Sequence, residues 1–497
     1  MPITTRRTYL DHNATTPIAK EVRKAMAKCL KATYGNPSSL HTAGRAARGV
    51  LDGARRSVAK LLGCQPEQVI FTSGGTEANV SVIKGVFAAA GAGHIVTSKI
   101  EHSSVLGACK QVEAQGGKVT YLPAGPDGLV LPQDVRAAVG PQTVLISIMH
   151  ANNETGAIQP VAEIASIARE AGVPFHTDAV QTFGKIATRV DELGCEFLSL
   201  SAHKINGPKG VGALYWRGNT AWTPLIHGGD QERERRSGTE GTHQIAGLGA
   251  AAELAAGRME DEFQRLTILR GRLVEGLRKL CPQVVINEAP AGSQMPGTVS
   301  ATFPDVSGLH ILAGLDCYEV AVSIGSACTA DRIEPSHVIL GMGRSEEEAL
   351  STLRISMGAT TVAADVKYFL WALGKVLAGP PVRFAYLDPQ HLTAERILSD
   401  GSFLIDLRFP YERMLAPSIP GAKLWSHIGF DRYIKKIPRD KEVILMCGTG
   451  IFSLSAGYRL ARAGHPSVKV VYGGYAAWCA LYPNLIEQLR TGSGQGR

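Results

Sequence analysis

Between residues 69 and 215, short apolar runs rich in β-branched side chains alternate with longer stretches of helical spacing. Val69-Ile-Phe, His94-Ile-Val-Thr, Val119-Thr-Tyr-Leu, Val144-Leu-Ile-Ser-Ile-Met, Val173-Pro-Phe-His, Phe197-Leu-Ser-Leu and Val211-Gly-Ala-Leu-Tyr read as strands. Residues 78–90 and 161–171 carry apolar positions at helical spacing. This alternation predicts an α/β fold with a large, mostly parallel sheet covered by helices, in which ligands gather beyond the C-terminal strand ends. Thr76, His102, Asn153, Asp178 and Lys204 each follow a predicted strand. One long helical pattern, about 251–280, then leaves the sheet. The reading divides the chain into a large sheet domain, about 12–260, and a small α/β domain, about 261–378. A linker at 379–387 opens with Gly379-Pro-Pro, an independent α/β unit fills 388–485, and 486–497 form a tail.

Composition adds bounds. A chain of 497 residues is too long for one core. Hydrophobic residues make up 44% and charged residues 19%, a globular balance. The net charge of +8 leaves direct nucleic-acid contact open, but the basic residues are scattered, and Arg233, Arg235 and Arg236 interleave with Glu232 and Glu234. A basic enzyme is the simpler expectation. Nine cysteines, an odd number without a C-x-x-C pair, argue against a disulfide framework or a zinc site, so no metal is expected. With no secretory pattern at the start and no apolar run long enough for a bilayer, a cytoplasmic protein without a membrane partner is expected.

The chemistry concentrates where strands end. Lys204, in Ser201-Ala-His-Lys-Ile-Asn-Gly-Pro-Lys-Gly210, follows one apolar run and precedes a Gly/Pro turn. An amine there can form a Schiff base with an aldehyde cofactor. Asp178, in Phe175-His-Thr-Asp-Ala-Val-Gln181, supplies an acid for a pyridinium nitrogen. Alone, each is as well explained as a surface lysine or a helix cap. Thr72-Ser-Gly74-Gly75-Thr76-Glu runs from a strand into a helix, where glycines and free N–H groups suit an anion. His102 places an imidazole near the same edge, and His150-Ala-Asn-Asn153-Glu-Thr-Gly156 brings amides to it.

Together with Tyr9-Leu-Asp-His-Asn-Ala-Thr-Thr-Pro17, Gly35-Asn36-Pro-Ser-Ser, Arg236-Ser-Gly-Thr239 and Gly325-Ser-Ala-Cys328-Thr, these motifs resemble the cysteine desulfurases that depend on pyridoxal phosphate (PLP), fold type I, class V aminotransferase superfamily. The resemblance covers roughly 8–375, and the loop around Cys328 is similar to the group I, NifS/IscS type. It implies that Lys204 carries PLP and shuttles protons, that His102 stacks on the ring as acid/base, and that Asp178 pairs with the ring nitrogen. Asn153 and Gln181 contact ring substituents; Gly75, Thr76, Ser201 and His203 hold the phosphate. Thr239 reaches the phosphate of a neighbouring subunit, implying a homodimer. Asn36 and Arg354 fix the carboxylate of L-cysteine. Cys328, among small residues, accepts its sulfur. The family commonly has Ser where Ile324 and Ala330 stand.

The C-terminal unit resembles a single rhodanese domain. Leu404-Ile-Asp406-Leu-Arg408, Ile419-Pro-Gly-Ala422, Cys447-Gly-Thr-Gly-Ile-Phe-Ser453 and Val471-Tyr-Gly-Gly-Tyr-Ala-Ala-Trp478 carry the likeness. It implies a sulfur-accepting Cys447 whose thiol is favoured as thiolate by a helix N-terminus. Rhodaneses commonly have Arg where Phe452 stands and His where Ser418 stands, so thiosulfate is expected to be a poor donor. Sulfur is expected to pass from Cys328 to Cys447 and on to acceptor proteins, such as scaffold or thiolation enzymes, in iron–sulfur, tRNA thiolation or molybdenum cofactor pathways. A selenocysteine lyase, or a rhodanese-like unit that only docks a partner, are the alternatives. Cys29, Cys109 and Cys281 read as packing residues, and Cys317 stays unassigned.

Overall fold

In a computed structural model, residues 7–325, 328–329, 332–379, 385–393, 401–419 and 421–484 are described, without the side chains of 328, 329, 332, 333 and 451. The large sheet has seven strands: β1 (Val69–Thr72), β2 (His94–Ser98), β3 (Lys118–Leu122), β4 (Thr143–Ser147), β5 (Phe175–Asp178), β6 (Phe197–Ser201) and β7 (Gly212–Trp216). Their spatial order is β1-β7-β6-β5-β4-β2-β3. Pairs from β3 through to β6 are parallel, while β7 runs antiparallel to both β6 and β1. Two reversals restore direction, so the C-terminal ends of β1, β2, β4, β5 and β6 share one edge. The near-continuous apolar runs of the central strands reflect burial on both faces. Ile146, Phe197, Leu198 and Leu200 are inaccessible to solvent, and burying one such side chain contributes about 2 kcal/mol. That rigid edge carries the site.

Helix α1 (Gly75–Ala90) leaves β1, and α2 (Ser103–Ala114) follows β2. The long helical pattern of 251–280 proves to be parts of two helices, α3 (Thr242–Ala256) and α4 (Met259–Leu280). The break falls at Gly257 and Arg258: glycine propagates a helix poorly, and Glu260, Asp261 and Glu262 favour a new N-terminus directly after it.

The following region is built on a four-stranded antiparallel sheet, β8 (Val285–Asn287), β9 (Thr298–Thr302), β10 (Ser323–Ile324) and β11 (Thr352–Ser356), ordered β10-β11-β9-β8. Helices α5 (Gly308–Asp316) and α6 (Ala363–Leu377) pack with it. Thr8–Tyr9 pairs in parallel with Val320–Ala321, tying the start of the chain to this region.

The C-terminal unit is a five-stranded parallel sheet. Its strands are β12 (Ala385–Leu387), β13 (Ser402–Asp406), β14 (Lys423–Leu424), β15 (Glu442–Met446) and β16 (Val468–Val471), ordered β12-β16-β15-β13-β14. Strand β12 lies within the stretch read as linker and pairs with β16. Helix α7 (Ile451–Arg462) follows β15 and packs against α5. At that contact the His310 and Tyr458 rings meet edge to face at 5.2 Å, and Cys317 Sγ lies 3.5 Å from Ser455 Oγ. A Cβ on Gly314 would come within 2.9 Å of the Tyr458 ring, so a small residue sets the helix separation.

Candidate active site

The shared strand edge gathers an amine, an acid, an imidazole and a glycine cradle. Lys204 sits in a single 3₁₀ turn after β6, where its Nζ donates to the carbonyls of Asn13 and, at 2.9 Å, Ala14. Burial, then the Arg354 charge, pulls the amine down to about 8, while Asp178 and Asp11 oppose the shift. A readily neutralised amine is what nucleophilic and proton-transfer chemistry needs.

Asp178 ends β5 and is buried. Its Oδ2 accepts from Asn79 Nδ2 at 2.6 Å and its Oδ1 from Val180 N at 2.9 Å. Asn79 also donates to Ser104 Oγ, which links α1 to the start of α2. His102 N-caps α2, with Nδ1 meeting Ser104 N and Oγ. His102 is exposed, yet partial desolvation by neighbouring atoms holds its pKa below the ordinary range, with the Asp178 carboxylate acting the other way.

The anion cradle lies at the N-terminus of α1. A Cβ on Gly75 would meet Val180 Cγ2 at 2.5 Å, so the backbone approaches β5's turn as only glycine permits. Ser201 Oγ stands 3.9 Å from where a Cβ on Gly74 would lie. Thr76 is exposed on the first turn. His203 is half-buried, with Nδ1 3.2 Å from Thr15 Oγ1. Burial and then the Lys204 charge pull it to about 4, so it is neutral and free to donate.

This donor set fits pyridoxal phosphate. Gly74 caps the N-terminus of α1, and the space beside it, where a Cβ would meet only Ser201 Oγ, suits a phosphate. The buried carboxylate of Asp178 suits a ring N–H, and the Lys204 amine suits the aldehyde.

Gln181 and Asn153 meet Asn13. Gln181 Nε2 donates to Asn13 O at 3.0 Å, and Asn13 Nδ2 donates to Asn153 O at 3.1 Å. Arg354, buried on β11, donates from Nη1 to Asn153 O at 3.4 Å and pairs with Asp11 at 2.9 Å, while its buried Nε has no partner. Asn36 stands apart. It is exposed, with its Oδ1 accepting from Ser38 N, and among the described residues no hydrogen bond joins it to Arg354. Thr239 is also exposed, on the segment before α3. The backbone of Cys328–Thr329 pairs antiparallel with Arg332–Ile333, and the Cys328 side chain lies outside the described residues. Among the described residues, no cluster of three or more His, Cys, Asp or Glu is placed for a metal, and no helix is long and apolar enough to cross a membrane.

Several contributors lie inside or just beyond the quoted motifs without being singled out. Asp11 and Asn13 close the pocket from the N-terminal segment, and Asn79 holds the acid. Glu154 is buried, with Oε2 accepting from Ser336 Oγ at 2.6 Å and lying 2.2 Å from a Cβ built on Gly325. It thus touches both stems of the segment that contains Cys328. Burial raises its pKa. Lys185 lines an internal pocket of about 80 Å³ beside Lys204, and burial followed by the Lys204 charge lowers its amine to about 7. Its four-residue spacing from Gln181 was the available signal.

The charged run at 232–236 is structural. Buried Glu232 pairs with Arg55 at 2.6 Å, and Arg236 with Glu77 at 2.9 Å. Glu232, Arg233 and Glu234 all have positive φ, so the ion pairs fix a strained turn just before Thr239.

In the C-terminal unit, Cys447 is fully buried at the end of β15. Ser453 N donates to Cys447 Sγ at 3.4 Å, and Ser453 Oγ lies at 3.5 Å. A Cβ on Gly474, where φ is +63°, would come within 2.3 Å of Cys447 O, so glycine closes the loop from behind. Above the loop, Phe452 stacks on His427 with centroids 4.0 Å apart, and both rings meet Phe409 edge to face. Glu412 Oε1 lies 2.5 Å from a Cβ built on Gly448. Ser418 Oγ accepts from Arg408, which is itself buried against Asp406.

The aminotransferase class-V family matches residues 8–369, and the rhodanese-like domain matches 391–481. A cysteine desulfurase IscS of Dictyoglomus turgidum is 47% identical over 374 residues, 75% of this chain and 95% of that protein. One from Methanosarcina thermophila is 43% identical over 371 residues, 74% and 91%. A solved structure titled as a NifS-like protein is 36% identical, with a TM-score of 0.71 over 75% of this chain and all of that one.

Proposed function

The chain belongs to the class-V aminotransferases and carries a C-terminal rhodanese-like domain, and on that premise we propose how its residues divide the work of a PLP-dependent cysteine desulfurase. The observation that carries the reading is the opposition of the Lys204 amine and the buried Asp178 carboxylate at adjacent strand ends, in a chain 47% identical to a cysteine desulfurase over three quarters of its length.

Pyridoxal phosphate supplies the electron-withdrawing ring that allows a bond at the substrate Cα to break. Lys204 takes a proton from that carbon and returns it later. Asp178 holds a proton at the ring nitrogen, with Asn79 orienting the carboxylate. His102 covers one face of the ring and exchanges protons with the substrate thiol. Gly75, Thr76, Ser201 and His203 anchor the phosphate. Gln181 and Asn153 address ring substituents. Arg354 is the cation for the substrate carboxylate, and Asn36, which among the described residues makes no hydrogen bond to Arg354, is assigned to the same carboxylate by the family resemblance.

The Cys328 thiolate then attacks the sulfur of bound L-cysteine. An S–S bond forms as the C–S bond breaks, and the electron pair left on the substrate carbon takes up a proton to give L-alanine. Thr239 completes the phosphate site of a second copy, so the working form is a homodimer; an active monomer in light scattering at working concentration overturns that part.

Cys447 receives the sulfur from Cys328 and passes it to acceptor proteins of iron–sulfur assembly, tRNA thiolation or molybdenum cofactor sulfuration. The division between a desulfurase and a sulfur-relay unit belongs to the same proposal, with the boundary drawn ahead of β12 at Ala385. Contact between α5 and α7 supports it, since the helix that forms the Cys447 cradle is seated on the desulfurase rather than only tethered to it. Phe452 and the Glu412 carboxylate disfavour free anionic donors, whereas a persulfide delivered by contact needs no cationic side chain. The test is stoichiometric: purified protein given L-cysteine and a thiol reductant should release alanine and sulfide in equal amounts. Cys328→Ser should bind L-cysteine and yield little of either; parent-like release from that variant sinks the assignment.

A further inference from the structure

Lys185 ends the turn that follows β5, and its Nζ donates to Gln181 Oε1 at 3.2 Å. Through its other end, Gln181 Nε2 donates to Asn13 O at 3.0 Å, and Lys204 Nζ donates to that same carbonyl. Lys185, Gln181, Asn13 and Lys204 therefore form one connected chain of hydrogen bonds. A carboxamide has an acceptor end and a donor end, and the two orientations differ by half a turn. The N–H that Lys185 donates to Oε1 and the Asn13 carbonyl that accepts from Nε2 together select one orientation, with Oε1 turned towards Lys185 and Nε2 away from it. Lys185 shares its pocket with the apolar side chains of Phe263, Leu266, Met295 and Met357 and with the titratable groups of His12, Arg258, Glu262 and Lys204.

We propose that Lys185 is a positioning residue for the cofactor: it pins the Gln181 carboxamide so that its N–H group, and not its oxygen, is presented to the ring substituents of bound pyridoxal phosphate. The inference rests on the reading of Gln181 as a ring contact. A donor facing an ionisable ring oxygen stabilises its anionic form, whereas a flipped amide presents a lone pair and destabilises it. Lys185 makes no contact with the reacting atoms in this role, and the four-residue spacing within one turn is what lets it reach Gln181.

The test uses the full-length holoenzyme and follows the absorbance of bound cofactor against pH, with cofactor affinity measured alongside. Lys185→Met keeps the stem and removes the donor. It should move the pH midpoint of the absorbance change by about one unit and weaken cofactor binding several-fold. Lys185→Arg, which keeps a donor, should return the midpoint towards the parent's. In a Gln181→Leu background, Lys185→Met should add no further shift, as expected for residues acting through one contact. Should Lys185→Met fail to fold, Lys185→Leu serves the same comparison. A parent-like midpoint in Lys185→Met, with a shifted one in Gln181→Leu, overturns the pin and leaves the ring contact standing. Parent-like midpoints in both variants overturn the pin and the ring contact together.

Discussion

Two strand–glycine loop–helix units sit in one chain, and they differ in what rings them. At the start of α1, the loop faces Ser201, and half-buried His203 and the Lys204 amine follow it at the same strand end. At the start of α7, the loop encloses Cys447 and is overlooked by Phe409, His427, Phe452 and the Glu412 carboxylate. Both helices point backbone N–H groups at their ligand. The first surrounds that anion site with donors and an amine and suits a permanent phosphate. The second covers it with rings and a negative charge, which suits a transient sulfur handed over by another thiol. The same backbone device is therefore specialised by side chains that the fold brings to it from distant positions in the sequence.

The largest effect expected on this contrast comes from Lys204→Ala. It removes the amine that distinguishes the first cradle, and alanine formation should fall by about 10³-fold or more. The yellow colour of the holoenzyme should change, while the folded C-terminal unit is untouched. Retained turnover breaks the comparison at its first member.

A smaller effect sharpens the second member. Phe452→Arg replaces a ring at the cradle mouth with a fork for anions, and thiosulfate:cyanide sulfur transfer should rise by about tenfold, roughly the value of one added charged hydrogen bond. Glu412→Gln should add to it by removing a like charge. An unchanged rate in the double variant would show that the mouth does not select the donor.

The smallest effect concerns pH. Glu101, directly before His102, is inaccessible to solvent, and burial raises its pKa to about 8, against the bonds from Ser98 Oγ and Met149 N. A carboxyl whose folded pKa is raised stabilises most below its unfolded value of 4.5, and loses that contribution as pH rises through about 8. Glu101→Gln keeps an acceptor for Met149 N without the titration. Its melting temperature should therefore gain on the parent's between pH 5 and about 8, checked by thermal unfolding across that range. A pH-independent difference contradicts the buried, protonatable carboxyl.

The seven runs read as strands each appear in the large sheet because buried parallel strands are nearly continuous apolar runs, as in Val144-Leu-Ile-Ser-Ile, and the residues at their ends inherit one edge. Lys204, Asp178, His102 and Gly75 were legible for that reason: each ends a strand or lies within four residues of a strand's C-terminal end. Contacts that cross the fold were not. Asp11 meets Arg354 across 343 positions, and Ser336 meets Glu154 across 182, and no local pattern encodes such pairings. The break at Gly257 was hidden by apolar spacing that runs through it. The seating of α7 on α5 depends on Gly314 and Tyr458, which carry no motif and read only as packing.

The relay from Cys328 to Cys447 is tested most directly by following sulfur-labelled L-cysteine in the intact full-length protein, with both cysteine-containing peptides identified by mass spectrometry after a single turnover. Label should appear on Cys328 first and on Cys447 afterwards, and should be absent from Cys447 in Cys328→Ser. If label never reaches Cys447 in the parent, or reaches it equally without Cys328, the relay is wrong and the C-terminal unit serves to dock a partner instead.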